Sequence, residues 1–171
     1  TALRLIEMGT EGYVVASSLR AVLAQRLVRR ICDSCHCADS LDPNTMSWLK
    51  NYKGRISSPL EVAEFKKGRG CPACNNTGYS GRIGIFELLE INFDLADALR
   101  RDDSAEFAAI AKGLPSFVSL SDSALRLALE GVTSMEEVLR VSGQIDESQV
   151  ILPAEPELTH AHDQASEPDK S

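Results

Sequence analysis

At 171 residues, 43% hydrophobic and 25% charged, the chain has the composition of a globular protein and enough length for one ordinary core. No apolar run is long enough to span a bilayer, and no basic stretch followed by an apolar one opens the chain. The net charge of −7 is uneven: residues 20–82 hold eleven Lys/Arg against five Asp/Glu, whereas residues 83–171 hold six against eighteen.

The opening Thr1-Ala2-Leu3-Arg4-Leu5-Ile6 enters in mid-pattern without an initiator Met and reads as a fragment or a cleaved product. Its apolar positions continue through Val14, Val15, Leu19, Val22, Leu23, Leu27, Val28 and Ile31, a spacing that fits helix. Val22 to Ile31 fits a buried strand equally well, with Ser17-Ser18 as the break. Asp42-Pro43-Asn44-Thr45 predicts a helix start ahead of Met46, Trp48 and Leu49, and Ser57-Ser58-Pro59-Leu60-Glu61 predicts another. Gly81 to Leu89 reads as a strand. Short helices are expected at about 93–101, 104–112, 121–131 and 134–141. The last opens on Ser134-Met135-Glu136-Glu137, the pattern of a reciprocal helix cap. From about Leu152 the composition turns to Pro, Glu, Asp, His and Ser, too poor in apolar groups to offset the entropy of ordering. A disordered, dispensable tail is expected there, and His160 and His162 fall in it.

Two Cys-x-x-Cys pairs, Cys32/Cys35 and Cys71/Cys74, interrupt this pattern. Two residues between cysteines let both sulfurs of a turn point at one centre, and two such turns complete the tetrahedron of a structural Cys₄ zinc site. Gly70 and Gly78 supply turn freedom around the second pair, and Pro72 fixes the turn between its sulfurs. Such a site is closed and acts as a staple without catalytic chemistry. Disulfides and free buried thiols are the alternatives. Cys37 competes for a place through Cys35-His36-Cys37, but the two-residue gap favours Cys32, Cys35, Cys71 and Cys74, with Cys37 outside the shell. The thirty-five residues between Cys35 and Cys71 hold little apolar content, so they read as a small insertion closed off by the metal.

Four ordered motifs carry a family resemblance over residues 1 to about 142. Arg4-Leu5-Ile6-Glu7-Met8-Gly9, Ala16-Ser17-Ser18-Leu19 and Ala24-Gln25-Arg26-Leu27-Val28-Arg29 lead to Cys32. Gly70-Cys71-Pro72-Ala73-Cys74 runs on to Thr77-Gly78-Tyr79, Gly81-Arg82, Gly84 and Glu87, and Gly131 to Val141 closes the pattern. Together they resemble the type II secretion and type IV pilus assembly ATPases. The resemblance implies an α-rich α/β fold: the C-terminal portion of a RecA-like ATPase domain with an inserted Cys₄ zinc subdomain and a terminal helical region. It divides the chain into the end of the core (1–31), the zinc subdomain (32–82), a strand with C-terminal helices (83–145) and an acidic tail (146–171).

It also implies a cytoplasmic homo-hexamer that hydrolyses ATP with Mg²⁺ and meets inner-membrane secretion or pilus platform proteins, with no nucleic-acid partner. The family's phosphate-binding loop lies upstream of the first motif, and no G-x-x-x-x-G-K-[ST] occurs here, so this chain alone is expected to be inactive toward ATP. No catalytic residue is assigned. On the family-like run, Gln25, Arg26 and Arg29 are candidates for contact with nucleotide or a neighbouring subunit; the plainer reading is a solvated or salt-bridged strand edge. Arg82 and Glu87 fall on opposite faces of their strand. Lys50/Lys53/Arg55 and Lys66/Lys67/Arg69 could meet an acidic partner or lipid head groups, or form a solvated face.

Two other classes compete. A zinc-ribbon nucleic-acid or protein-interaction module predicts a basic domain with exposed aromatics, against which stand the acidic balance and 5% aromatic content. A Cys-x-x-Cys thiol–disulfide enzyme needs a reactive low-pKa thiol and no metal.

Overall fold

The structure is a computed structural model that describes residues 2–52, 54, 56 and 63–148, the last five by backbone alone. Lys53, Arg55, the expected helix start at Ser57–Glu61 and residues 149–171, with His160 and His162, lie outside the described residues, whereas residues 146–148 of the expected acidic tail are helical. Among the described residues the chain is mixed α/β. Two short helices, α1 (Ala2–Glu7) and α2 (Gly12–Ser18), lead into strand β1 (Ala21–Ile31), so the ambiguous segment resolves as strand from residue 21 onward. Its β-branched and leucine content fits a pleated surface better than a third helical turn after Ser18.

β1 pairs antiparallel with β4 (Tyr79–Glu90), from Ala21↔Glu90 to Arg29↔Arg82, then shifts register to Ile31↔Tyr79. Between these strands the chain makes β2 (His36–Ala38), α3 (Pro43–Asn51) and β3 (Lys66–Gly68), and β2 pairs antiparallel with β3. After β4 come α4 (Phe93–Arg100), α5 (Ser104–Gly113), α6 (Leu120–Leu129) and α7 (Met135–Ser148).

Local chemistry starts each helix. The Asp42 carboxylate accepts from the Asn44 and Thr45 amides at 2.9 and 3.1 Å, with Pro43 in the first turn of α3. Asn92 and Asp103 cap α4 and α5 in the same way, each at 2.9 Å. The reciprocal cap stands at α6, where Ser119 Oγ accepts from the Asp122 amide and Asp122 accepts from the Ser119 amide. The cap expected at Ser134–Glu137 has gone elsewhere. Ser134 Oγ meets the Tyr79 hydroxyl, and both Glu137 carboxylate oxygens accept from arginines. A tertiary charge partner outcompetes a local amide for a carboxylate that sits within reach of both.

Two apolar cores share the inner face of the ribbon. Val28 and Ile85 join Leu49, Phe65, Leu120, Ala124, Leu125, Ala128, Met135, Val138 and Val141. Leu89 at the other end joins Ala2, Val15, Leu95, Ala98, Leu99, Phe107 and Ala111. The first core corrects the reading of the inter-cysteine stretch as apolar-poor. Leu49 and Phe65 are fully enclosed in it, Leu41, Met46, Trp48, Tyr52 and Ile56 pack around them, and the Tyr52 hydroxyl donates to Asp122 at 2.9 Å. The insertion is therefore held by packing on α6 and α7 as well as by its cysteines.

The outer face of the ribbon is apolar and open. Leu23 lies opposite Leu88, Gln25 opposite Phe86 and Leu27 opposite Gly84, and the four large hydrophobic side chains are exposed.

Candidate metal centre

The two cysteine hooks meet at the β2/β3 end of the ribbon. Cys32 follows β1 directly and Cys71 opens a single 3₁₀ turn, Pro72–Cys74. Asn75 and Asn76 then take left-handed backbone, with φ of 52° and 61°, and Gly78 follows at 78°. These are conformations that Asn and Gly tolerate best. Gly68 and Gly78 let the two knuckle backbones touch: a Cβ on Gly78 would stand 2.5 Å from the Gly68 carbonyl oxygen. The Cys32 amide donates to the Gly78 carbonyl at 2.9 Å and the Arg69 amide to the Cys35 carbonyl at 3.1 Å, which ties the hooks together.

The ligand atoms of Cys32, Cys35, Cys71 and Cys74 all lie within 4.8 Å of one another. The Sγ–Sγ separations are 3.9 Å for Cys32–Cys71, 3.9 Å for Cys35–Cys74 and 3.7 Å for Cys71–Cys74. All five cysteines are free thiols. Cys37 is outside this cluster, on β2 opposite Lys67, whose ammonium pairs with Asp39 at 2.8 Å. His36 is exposed, its Nδ1 3.0 Å from the Asp33 carbonyl oxygen.

The electrostatics of the cluster are asymmetric. Burial opposes ionisation of Cys74, but N–H donation from Cys71 at 3.2 Å and Gly78 at 3.3 Å, with the neighbouring sulfurs, outweighs it and holds the thiol down to about 6. Burial pushes the Cys35 thiol up to about 12, against a backbone contact from Gly70 and with the other three sulfurs adding to the rise. Four converging soft donors of this kind can hold a metal ion.

Beside the centre a charged clamp fixes α7 to the edge of β1. The fully buried Glu137 accepts from the Arg29 amide at 2.8 Å, from Arg29 Nε at 2.9 Å, and from Arg140 Nε and Nη2 at 3.1 and 2.7 Å. Burial pushes its carboxyl up, but hydrogen bonds from Arg140 and Arg29 prevail and hold it at about 2. The Thr133 hydroxyl donates to the Arg29 carbonyl at 2.7 Å, Arg140 Nη2 to the Leu27 carbonyl at 3.2 Å, and the Ile31 amide to Val132 at 2.9 Å. Side chains and loop backbone thus finish a strand edge that no third strand pairs among the described residues. Tyr79 lies between clamp and cysteines: the Arg29 guanidinium sits 4.0 Å over its ring, and its hydroxyl donates to Glu136 at 2.8 Å.

Of the three candidates on β1, Arg29 is thus engaged within the chain, whereas Gln25 and Arg26 are exposed, Gln25 among the outer-face leucines and Arg26 toward the inner face. Glu87 accepts from the Leu120 amide at 3.2 Å, at the start of α6, while Arg82 stands opposite Arg29 on the outer face. Sequence reasoning misses Glu137 as the partner of Arg29 because 108 positions separate them, and Tyr79 as the partner of Ser134 because 55 do. The only local signal is a capping-box pattern that points to another use.

No described helix is long and apolar enough to cross a membrane. Residues 1–140 match the model of a family described as Type II/IV secretion system protein. The chain is 40% identical over 139 residues to the type IV pilus assembly ATPase PilB of Thermus thermophilus, covering 80% of this chain and 15% of that protein. It is 39% identical over 141 residues to the type II secretion system protein E of Pectobacterium carotovorum, covering 81% and 26%. Against the type II secretion system ATPase E of Vibrio cholerae it is 37% identical over 139 residues, covering 81% and 26%. The chain therefore spans about a quarter or less of the relatives it matches. By a match that runs through both cysteine hooks and into α7, the chain belongs to the Type II/IV secretion system protein family.

Proposed function

We propose that this chain is the C-terminal part of a hexameric, cytoplasmic ATPase that powers type II secretion or type IV pilus assembly, working against platform proteins at the inner membrane. The observation that carries this reading is the family match over residues 1–140, with relatives named as ATPases of both systems. In this reading residues 1–31 end a RecA-like core, 32–82 form the zinc subdomain, 83–145 supply a strand and packing helices, and 146–171 are an acidic tail. The open apolar face of Leu23, Leu27, Phe86 and Leu88 supports it. A ribbon covered on one side by α3, α6 and α7 and apolar on the other is what one layer of a larger layered domain presents. ATP and Mg²⁺ belong to the whole motor. Gln25 and Arg26 are the residues of this stretch left free to face nucleotide or a neighbouring subunit, while Arg29 serves the clamp.

The metal in this reading is Zn²⁺, held by Cys32, Cys35, Cys71 and Cys74. Sulfurs about 2.3 Å from a tetrahedral centre stand about 3.8 Å apart; three of the six pairs, at 3.7–3.9 Å, match that edge, and all lie within 4.8 Å. Four thiolates fill the coordination shell, so zinc supplies cross-linking and no reaction step.

Two measurements test the proposal. The purified 171-residue chain should carry one Zn²⁺ by elemental analysis and show no ATP turnover above buffer, because no loop of backbone amides and lysine is present to hold the phosphates. Joined to a phosphate-loop domain of the family, it should restore secretion or piliation to cells lacking the ATPase. A steady, metal-independent ATPase rate from the isolated chain overturns the reading.

A further inference from the structure

We propose that occupancy of the four-cysteine centre sets how firmly the first turn of α7 is seated, with Tyr79 as the positioning residue that links them. The inference rests on the metal reading above and gives the site a reach beyond its own lobe.

The metal lobe and the α7 clamp are one residue apart on both strands. Cys32 donates its amide to the Gly78 carbonyl at 2.9 Å, and the Gly78 amide donates to Cys74 Sγ at 3.3 Å. The preceding residue on one strand, Ile31, pairs in the ladder with the following residue on the other, Tyr79. Both then turn away from the cysteines and hold the α7 end. The Ile31 amide goes to the Val132 carbonyl at 2.9 Å. The Tyr79 hydroxyl lies 2.6 Å from Ser134 Oγ and donates to Glu136 Oε2 at 2.8 Å, while its ring lies under Arg29, which itself binds Glu136 and Glu137 at 2.9 Å. Thr77 Oγ1 donates to the Cys74 carbonyl at 2.6 Å and accepts from the Tyr79 amide at 3.3 Å, a second bridge from knuckle to tyrosine.

Among the described residues the knuckle has no apolar core of its own. Its buried cluster consists of Cys32, Cys35 and Cys74, with Cys71 beside them. What orders the backbone at residues 32 and 78 is therefore the sulfur centre. When the cation leaves, the four sulfurs lose the centre that holds them together, and the backbone bonds that depend on their positions, the Gly78 amide to Cys74 Sγ among them, lose their anchor. The backbone that carries Tyr79 loosens, and the hydroxyl loses its fixed place between Ser134 and Glu136. The far end of the ribbon does not share these contacts: α4 and α5 close over Leu89, Leu95, Leu99 and Phe107. Coupling between two equilibria is reciprocal, so whatever releases Tyr79 from α7 weakens cation binding by the same factor.

The test uses the full 171-residue chain loaded with Zn²⁺, read by hydrogen exchange and by zinc transfer to a colorimetric chelator. Stripping the zinc should speed exchange at the amides of residues 136–140 by roughly five- to a hundredfold, the usual span of such coupling, and leave residues 95–111 unchanged. Tyr79→Phe keeps the ring under Arg29 and removes only the hydroxyl. With zinc bound it should loosen 136–140 by itself, lose zinc to the chelator several-fold more readily than wild type, and respond less to stripping. If stripping loosens only 32–38 and 66–78, or if it loosens 95–111 equally, the coupling is wrong. Unchanged zinc retention in Tyr79→Phe is also fatal to it. Absence of bound zinc in the wild type removes the metal reading and the coupling together, whereas a silent α7 beside a full zinc complement removes the coupling alone.

Discussion

The two ends of the β1–β4 ribbon are held by different physics. At the Ala21/Glu90 end, Leu89 is covered by α1, α2, α4 and α5, and among the described residues the cluster around Leu95, Ala98 and Leu99 contains no buried charge. At the Ile31/Tyr79 end, order comes from four sulfurs, backbone amides donated to sulfur and carbonyl, and a buried Glu137 between two arginines. Apolar burial is non-directional and tolerant of chemical conditions. Thiolate coordination and buried ion pairs depend on protonation and metal, and they are costly when half-satisfied. One ribbon thus joins a conditional end to an unconditional one.

Removing the metal should separate the two ends most sharply. Changing any one of Cys32, Cys35, Cys71 or Cys74 to Ser should abolish zinc binding and remove metal-linked folding free energy, on the order of 10 kcal/mol by comparison with zinc-finger peptides. Because Leu49 and Phe65 sit in the α6/α7 core, α3 should remain in place while residues 32–38 and 66–78 loosen, and with them the first turn of α7. Amide exchange on the zinc-free variant checks this, and global unfolding contradicts it.

At the other end, Leu99→Ala removes a fully buried side chain. It should cost roughly 2–5 kcal/mol in denaturant unfolding without changing the zinc content. A loss of zinc would mean that the two ends are not separable.

Acid should act through Glu137. Its folded value is held at about 2, below the ordinary value of 4.5. Its contribution is therefore fully present above about pH 4.5 and disappears as pH falls toward 2. A depression of this size corresponds to about 3 kcal/mol. Glu137→Gln should lower stability at neutral pH by about that amount and flatten the acid limb of the curve, measured as the difference from wild type. An acid limb of unchanged steepness contradicts the assignment.

The smallest effect is expected at Cys37. It lies outside the sulfur cluster, so Cys37→Ser should keep one Zn²⁺ per chain. Loss of binding there, with retention in Cys35→Ser, would reverse the ligand assignment.

Much of this organisation is local and therefore readable without coordinates. Cys-x-x-Cys spacing, the glycines around Cys71 and Cys74, Asp42-Pro43 before α3 and the period of α4 to α7 all act within a few residues, where short-range sterics and amide capping decide. The family motifs are legible for the same reason. What needed the tertiary structure was any choice between two locally acceptable uses of the same groups. Val22 to Ile31 satisfies helix and strand alike, and pairing with β4 decides for strand. Leu49 and Phe65 look sparse along the chain because their neighbours come from α6 and α7. Glu137 satisfies a helix cap by pattern, yet charge-assisted bonds from Arg29, 108 residues away, take its carboxylate, and Tyr79 takes Ser134. Short-range rules determine which groups can cap, ligate or pair; only the folded chain determines which partner arrives first with the greater charge and the smaller loss of solvent.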